Sequence, residues 1–103
     1  MTVATMDTAS RRIGMIGPNA ITRIVEALDQ VESPQSIRRI FRVSGLEMYL
    51  SEQPTDMVDE HEVMRLHHVL HDELGDRGAR SVGRIAGHLT ANYLLRYRIP
   101  SLA

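Results

Sequence analysis

The 103-residue chain contains no cysteine, no tryptophan and no lysine, and only one phenylalanine. Without cysteine it cannot form disulfides, thiolate zinc sites, iron–sulfur ligation or a cysteine nucleophile. Aromatic residues make up 4% of the chain and hydrophobic residues 43%, so the sequence predicts an aliphatic core. No apolar run approaches the roughly 18 residues of a membrane helix, and residues 1–12 lack the apolar centre of a signal peptide. We therefore expect a cytoplasmic protein.

All twelve basic residues are arginine, and thirteen acidic residues are spread among them, giving a formal net charge of −1. Because no broad basic field exists, the sequence argues against nucleic-acid binding. The exclusive use of arginine is typical of a GC-rich genome. It also fits recognition of carboxylates or phosphates by the guanidinium fork, and the sequence leaves both interpretations open.

Apolar residues recur at helical spacing and predict an all-α fold of four to five short amphipathic helices. Residues 1–12 are small and polar and are expected to form a mobile tail, with 13–103 as a single helical domain. No alternating pattern predicts a strand. Capping residues, prolines and glycines predict the ends of the helices, which we place at about 18–31, 33–45, 46–50, 56–75 and 80–98. Thr55 or Asp56 is the predicted cap of the fourth helix, and residues 75–78 are predicted to form a turn.

Two histidines on the fourth predicted helix are the first candidates for ligand binding. His67 and His71 are four residues apart and therefore share a helix face. Such a pair can bind a divalent metal, and a single histidine can ligate the central metal of a tetrapyrrole. The alternative is that both edge the core beside Leu70 and Leu74. No cysteine completes a zinc site and no zinc-protease motif is present, so no metal ligand is assigned.

The last predicted helix carries two further patterns. Gly83 and Gly87 could let another helix approach closely, either within the domain or across a homodimer seam. Arg96 and Arg98 could hold a propionate or phosphate, or could simply be favourable positive charge at a helix C-terminus. No nucleophile elbow or defined triad spacing is present, so no catalytic residue is assigned.

Three phrases, in the same order along the chain, resemble the bacteriochlorophyll 4-vinyl reductase family. They are Gly17-Pro18-Asn19-Ala20-Ile21, Met57-Val58-Asp59-Glu60, and Thr90-Ala91-Asn92-Tyr93-Leu94-Leu95 continuing to Arg98-Ile99-Pro100. Within these phrases, the positions that match the family's motifs are Gly17, Pro18, Asn19, Tyr93 and Pro100. Family members continue past the last phrase into a second half with strands. The resemblance therefore implies that this chain is the N-terminal helical half of an α+β small-ligand-binding fold, incomplete relative to the family.

The resemblance implies a role in bacteriochlorophyll biosynthesis and photosynthesis, associated with 8-vinyl (4-vinyl) reduction of divinyl protochlorophyllide or chlorophyllide. Members of the family are viewed either as the reductase or as accessory proteins that bind or hand over Mg-porphyrin intermediates. Because the chain has no redox-cofactor motif, we favour a Mg-tetrapyrrole-binding carrier or accessory subunit. The alternatives are the vinyl reductase itself and a helical protein-interaction module.

In the favoured role, the ligand is a Mg-porphyrin or chlorophyllide intermediate, with His67 or His71 on the magnesium and an arginine at the propionate. Four methionines either line an adaptable apolar groove or belong to the core: Met15, Met48, Met57 and Met64. The expected partners are other bacteriochlorophyll-biosynthesis enzymes and a second copy of the chain. The expected location is the cytoplasm or the periphery of the photosynthetic membrane.

Overall fold

The computed structural model describes residues 14–98, and most of this part of the chain is helical. The elements in order are β1 (Met15–Ile16), α1 (Asn19–Val31), α2 (Pro34–Val43), α3 (Met48–Ser51), β2 (Val58–Asp59), α4 (Glu60–Tyr93) and a π-helical turn (Leu94–Arg98). The predicted all-α class is confirmed. The predicted tail at 1–12 lies outside the described residues, as does Pro100.

A short antiparallel strand pair, which the sequence did not predict, joins the segment before α1 to the start of α4. Met15 pairs with Asp59, and Ile16 pairs with Val58. The backbone N–H of Glu60 also donates to the carbonyl of Gly14 at 2.7 Å. Two residues per strand are too few to show an alternating pattern, so periodicity does not reveal the pair.

Local sequence explains where α1 and α2 begin. Pro18 directly precedes α1, where its missing N–H leaves no helical hydrogen bond unmade. At α2, the Ser33 hydroxyl accepts the backbone N–H of Ser36 at 3.1 Å, and Pro34 occupies the first helical position. Both predicted starts are confirmed to within one residue.

Gly45 ends α2 in a Schellman motif. Its φ of 76° lies in the left-handed region, which glycine adopts without steric cost. The Leu46 N–H donates to the Phe41 carbonyl at 2.8 Å, and the Gly45 N–H donates to the Arg42 carbonyl at 3.0 Å. Because Leu46 and Phe41 are both fully buried, the motif also fixes the end of α2 in the core.

Gly75 interrupts α4, since its backbone (φ 74°, ψ 173°) lies outside the helical region. We refer to residues 60–74 as the first arm and to residues 76–93 as the second arm. The predicted break at Gly75 is confirmed. The predicted turn from 75 to 78 is wrong, because helical geometry resumes immediately after the glycine.

The predicted cap of α4 is also wrong. Neither Thr55 nor Asp56 caps the helix; Asp59 does, and its carboxylate accepts the His61 N–H at 2.8 Å. The strand pairing of Asp59 holds it in extended conformation directly before the first helical turn. The cap is therefore selected by a tertiary contact that sequence spacing does not show.

The helix α4 packs on α1 and α2, and both of its arms contribute side chains to one largely aliphatic core. The fully buried larger side chains are Phe41, Ile21, Leu28, Ile40, Leu46, Leu66, Leu70 and Val82. Leu66 and Leu70 belong to the first arm and Val82 to the second, so the core spans the break at Gly75. Although α4 is 34 residues long, no helix within residues 14–98 is both long and apolar enough to cross a membrane.

Two helical glycines of the second arm should respond oppositely to alanine. A Cβ at Gly78 would lie 2.8 Å from the Cβ of Leu74, whereas a Cβ at Gly83 would meet nothing within 4 Å. We expect Gly78→Ala to lower the free energy of unfolding by about 1–3 kcal/mol through the forced shift. We expect Gly83→Ala to raise it by about 0.5–1 kcal/mol through helix propensity. Urea denaturation of both variants measures this, and equal effects would contradict the close approach at Gly78.

Candidate functional site

A groove of about 310 Å³ lies between α1 and the second arm of α4, with His67 of the first arm on its lining. Its lining is mostly apolar and consists of Asn19, Ala20, Arg23, Ile24, His67, Gly83, Ala86, Gly87 and Thr90. We call it the glycine groove, because Gly83 and Gly87 form part of its wall. A Cβ added at either position would meet nothing within 4 Å. Within residues 14–98, therefore, no second helix packs closely on these glycines, and their side of α4 is open.

A second depression of about 380 Å³ continues from the first along the same two helices. It is lined by Arg23, Glu26, Leu89, Asn92, Tyr93 and Arg96, and we call it the arginine pocket. Arg23 lines both depressions, which joins them into one surface. The apolar glycine groove thus leads into a pocket that holds two guanidinium groups and one carboxylate.

The side chain of His67 lines the glycine groove, where neighbouring atoms cover part of the imidazole, while much of its surface stays exposed to solvent. Partial burial lowers the pKa of its imidazole below the ordinary value of 6.5, and the nearby His71 and His68 lower the pKa further. The lowered pKa favours the neutral imidazole, whose free nitrogen lone pair can bind a metal centre. The structure places this predicted residue on the lining of a mostly apolar groove.

His71, the other predicted histidine ligand, does not line the glycine groove. Its Nδ1 lies 3.7 Å from a carboxylate oxygen of Asp76, and its side chain is about half exposed. Within the described part of the chain, no cluster of three or more histidine and carboxylate side chains is arranged to hold a metal ion. His67 therefore lines the glycine groove, whereas His71, one turn further along the same arm, lies near Asp76 at the break.

The predicted arginines lie at the end of α4. Arg96 lines the arginine pocket and is exposed. Arg98 ends the π-helical turn, and its side chain lies outside what the structure describes. Their place in a ligand site stays a prediction.

Arg23 is the residue of this surface that sequence reasoning missed. Its side chain is only 14% exposed, and one guanidinium nitrogen contacts a Glu26 carboxylate oxygen at 2.5 Å. Its Cζ lies 4.9 Å from the centroid of the Tyr93 ring, a cation–π distance. Its Nε is buried and has no hydrogen-bond partner. In the sequence it falls between apolar positions of α1 and looks like an ordinary polar-face residue, so no local signal marks it.

Two of the three phrases that carry the family resemblance meet at this surface. The Gly17 carbonyl accepts the Ala20 N–H at 3.1 Å at the start of α1, which places Asn19 and Ala20 on the wall of the glycine groove. The phrase 90–95 contributes Thr90 to the glycine groove and Asn92 and Tyr93 to the arginine pocket. Phrases that are about 70 residues apart in sequence are thus brought together by the packing of α4 on α1.

The four methionines lie elsewhere. Met15, Met48, Met57 and Met64 are between 40% and 54% exposed, so none belongs to the core. None of them lines the glycine groove. Met48 and Met57 instead line a separate depression of about 360 Å³ beside the loop that leads to β2.

The chain is similar to the bacteriochlorophyll synthase 23 kDa chain of Cereibacter sphaeroides. The two are 34% identical over 88 residues, which is 85% of this chain and 41% of that protein. The chain therefore spans about two fifths of the length of this relative. No family profile and no solved structure matches the chain.

The lowered pKa of His67 predicts a specific dependence of stability on pH. Because the folded chain has the lower pKa, the unfolded chain binds more protons as the pH falls. The stability linked to neutral His67 is therefore present above about pH 6.5 and is lost as the pH falls through the folded-state pKa. As the pH falls from about 7.5 to 5.5, we expect the free energy of unfolding of His67→Gln to decrease less than that of the wild type.

Thermal denaturation at several pH values measures this difference. His88→Gln, which removes an exposed histidine of the second arm, is the matched control for the loss of a histidine in general. Identical profiles for the wild type and His67→Gln would contradict the assignment.

Proposed function

We propose that this chain takes part in bacteriochlorophyll biosynthesis as a carrier or accessory subunit that binds a Mg-tetrapyrrole in the glycine groove. The similarity to a protein named as a bacteriochlorophyll synthase chain supports the pathway. The resemblance of three phrases to the 4-vinyl reductase family supports a place near 8-vinyl reduction of divinyl protochlorophyllide or chlorophyllide. Other enzymes of the pathway are the proposed partners.

The observation that carries the proposal is the imidazole of His67 beside an open apolar wall of small residues. A planar macrocycle needs a surface without projecting side chains, which Gly83, Ala86 and Gly87 provide. The central metal of a tetrapyrrole accepts a histidine nitrogen as axial ligand, and His67 lies on the lining of the same groove. The groove is open to solvent along one side, which suits a ligand that is handed on to another protein.

The chemistry of the chain favours binding of the pigment without turnover over reduction of its vinyl group. Hydride or electron delivery requires a nicotinamide, a flavin or an iron–sulfur donor. The sequence contains no dinucleotide-binding glycine motif and no cysteine for a cluster. A carrier needs only a groove and an axial ligand, and the glycine groove with His67 on its lining is our candidate for both.

A titration of the purified chain with divinyl protochlorophyllide tests the proposal. We expect a saturable shift of the Soret band in absorbance, with the vinyl group intact in the presence and absence of NADPH. Conversion to the monovinyl pigment by this chain alone would instead support the reductase. The absence of any shift would refute pigment binding and favour the interaction module.

The His67 assignment is tested by a matched pair of variants. His67→Ala should abolish the part of the Soret shift that arises from axial ligation and weaken binding about tenfold or more, as expected for loss of a strong directional contact. His71→Ala, one helical turn away and outside the groove, should bind as the wild type does. Equal effects of the two substitutions would contradict the role of His67.

The groove itself is tested by filling it. Gly87→Leu places a side chain into open space, since a Cβ there meets nothing within 4 Å, and leucine is the better helix former. We expect wild-type or higher thermal stability together with loss of pigment binding. A variant that is stable and binds the pigment normally would exclude this groove as the site.

A further inference from the structure

We infer that the depression of about 360 Å³ beside the loop that leads to β2 is a docking surface for a partner protein. The segment that it takes combines arginine or lysine with apolar side chains. We call the surface the methionine depression, because Met48 and Met57 both line it. None of its lining residues belongs to the glycine groove, so the inference does not depend on pigment binding there.

The methionine depression presents apolar side chains on a fixed frame. Met48 is 53% exposed and Met57 is 54% exposed. Large apolar side chains that are grouped on a surface mark interaction sites, and the flexible thioether of methionine adapts to the shape of a partner. The hydroxyl of Tyr49, also on the lining, donates to a Glu62 carboxylate oxygen at 2.7 Å and ties α3 to the first arm of α4. The fold of the chain itself therefore holds the wall of the depression in place.

The charge around the methionine depression is strongly negative. Residues 43–64 contain six of the thirteen acidic residues of the chain and none of its twelve arginines. Glu52 and Asp56 line the depression and are exposed. Within the part of the chain that the structure describes, neither carboxylate forms an ion pair. Because potentials across an interface are complementary, the partner segment carries positive charge.

The two arginines that flank this acidic stretch are engaged elsewhere. The Nε of Arg42 lies 3.7 Å from a carboxylate oxygen of Glu47. The Nε of Arg65 donates to the backbone carbonyl of Ser44 at 3.2 Å. The two carboxylates of the methionine depression are therefore left to meet a cation supplied from outside the chain.

A protein segment fits the methionine depression better than a metal ion or a membrane does. Among the described residues, no group of three or more histidine and carboxylate side chains is arranged to hold a metal ion. An anionic membrane surface attracts basic segments and would repel Glu52 and Asp56. A segment that carries both kinds of side chain covers the methionines with its apolar groups and pairs its cations with the carboxylates.

Three labelled synthetic peptides of equal length test the inference on the full chain by fluorescence anisotropy. The first holds arginine and leucine in equal number among serines. The second replaces every leucine with serine, and the third replaces every arginine with glutamate. We expect the first to bind about tenfold or more tightly than the second, to weaken as salt is added, and to bind far more tightly than the third. Absence of binding by the first peptide, or equal binding of the first and either control peptide, would overturn the inference.

Variants of the carboxylates locate the charge effect. Glu52→Gln combined with Asp56→Asn should weaken the first peptide about fivefold or more and reduce the dependence on salt. Asp29→Asn combined with Asp72→Asn removes two exposed carboxylates from outside the acidic stretch, which gives the same net charge, and should bind as the wild type does. Equal weakening in the two double variants would show that only net charge matters, and the inference would be wrong.

Variants of the methionines locate the apolar effect. Met48→Gln combined with Met57→Gln should weaken the first peptide about tenfold while leaving the dependence on salt unchanged. Leu95→Gln, which removes a side chain that is 53% exposed at the end of α4, is the matched control and should bind normally. Wild-type affinity in the methionine variant would contradict the inference.

Sedimentation velocity distinguishes a partner protein from a second copy of the chain. If the wild-type chain self-associates and the methionine variant does not, the occupant is another copy and the inference is wrong. A chain whose sedimentation is the same with and without Met48 and Met57 supports a different protein as the partner. Thermal denaturation reports on the folding of each variant, and the comparison of the three peptides on the wild-type chain needs no variant at all.

Discussion

The rest of the structure depends on the break in α4 at Gly75. A straight helix of 34 residues would be about 51 Å long, whereas the 13 residues of α1 span about 20 Å. Without a change of direction, only a part of α4 could contact α1. The left-handed φ of Gly75 redirects the helix within one residue, and both arms then bury apolar side chains in the same core.

The groove follows from the same constraint. The second arm returns along α1 and buries Ala79, Val82 and Ala86, but it presents Gly83 and Gly87 at positions where larger side chains would close the gap. Full burial of a side chain such as Ile21 or Leu28 stabilises the chain by about 1.5–3 kcal/mol. The core beneath the groove therefore supplies the stability, and the open wall above it need not contribute any.

The fold could be predicted largely because its helices are marked locally. Ser33-Pro34 and Gly45 act through hydrogen bonds and backbone geometry within a few residues, and Gly75 acts through its own φ. The cap of α4 could not be assigned in this way. Asp56 and Asp59 are chemically equivalent in sequence, and only the pairing of Asp59 with Met15 across the chain distinguishes them.

The candidate site was predictable only in part for the same reason. His67 carries a recognisable chemistry wherever it lies, so it could be proposed from spacing alone. Arg23 gains its character from burial against Tyr93, which is 70 positions away in sequence. The sequence shows the pair Gly83 and Gly87, but it does not show whether the pair faces another helix or solvent, because that depends on how the second arm of α4 packs on α1. Long-range packing therefore decides which of many ordinary residues form the site.

Two properties are combined along one surface. His67 lies on the lining of the glycine groove, and Gly83 and Gly87 leave the wall beside it open, since a Cβ at either position would meet nothing within 4 Å. On the proposed function, each property meets a different part of the ligand: the imidazole meets the central metal, and the open wall meets the flat ring. A bare divalent cation would use only the imidazole and would leave the apolar wall exposed to water. The proposed tetrapyrrole makes use of both, because its metal and its ring lie in one plane and can face the two groups together.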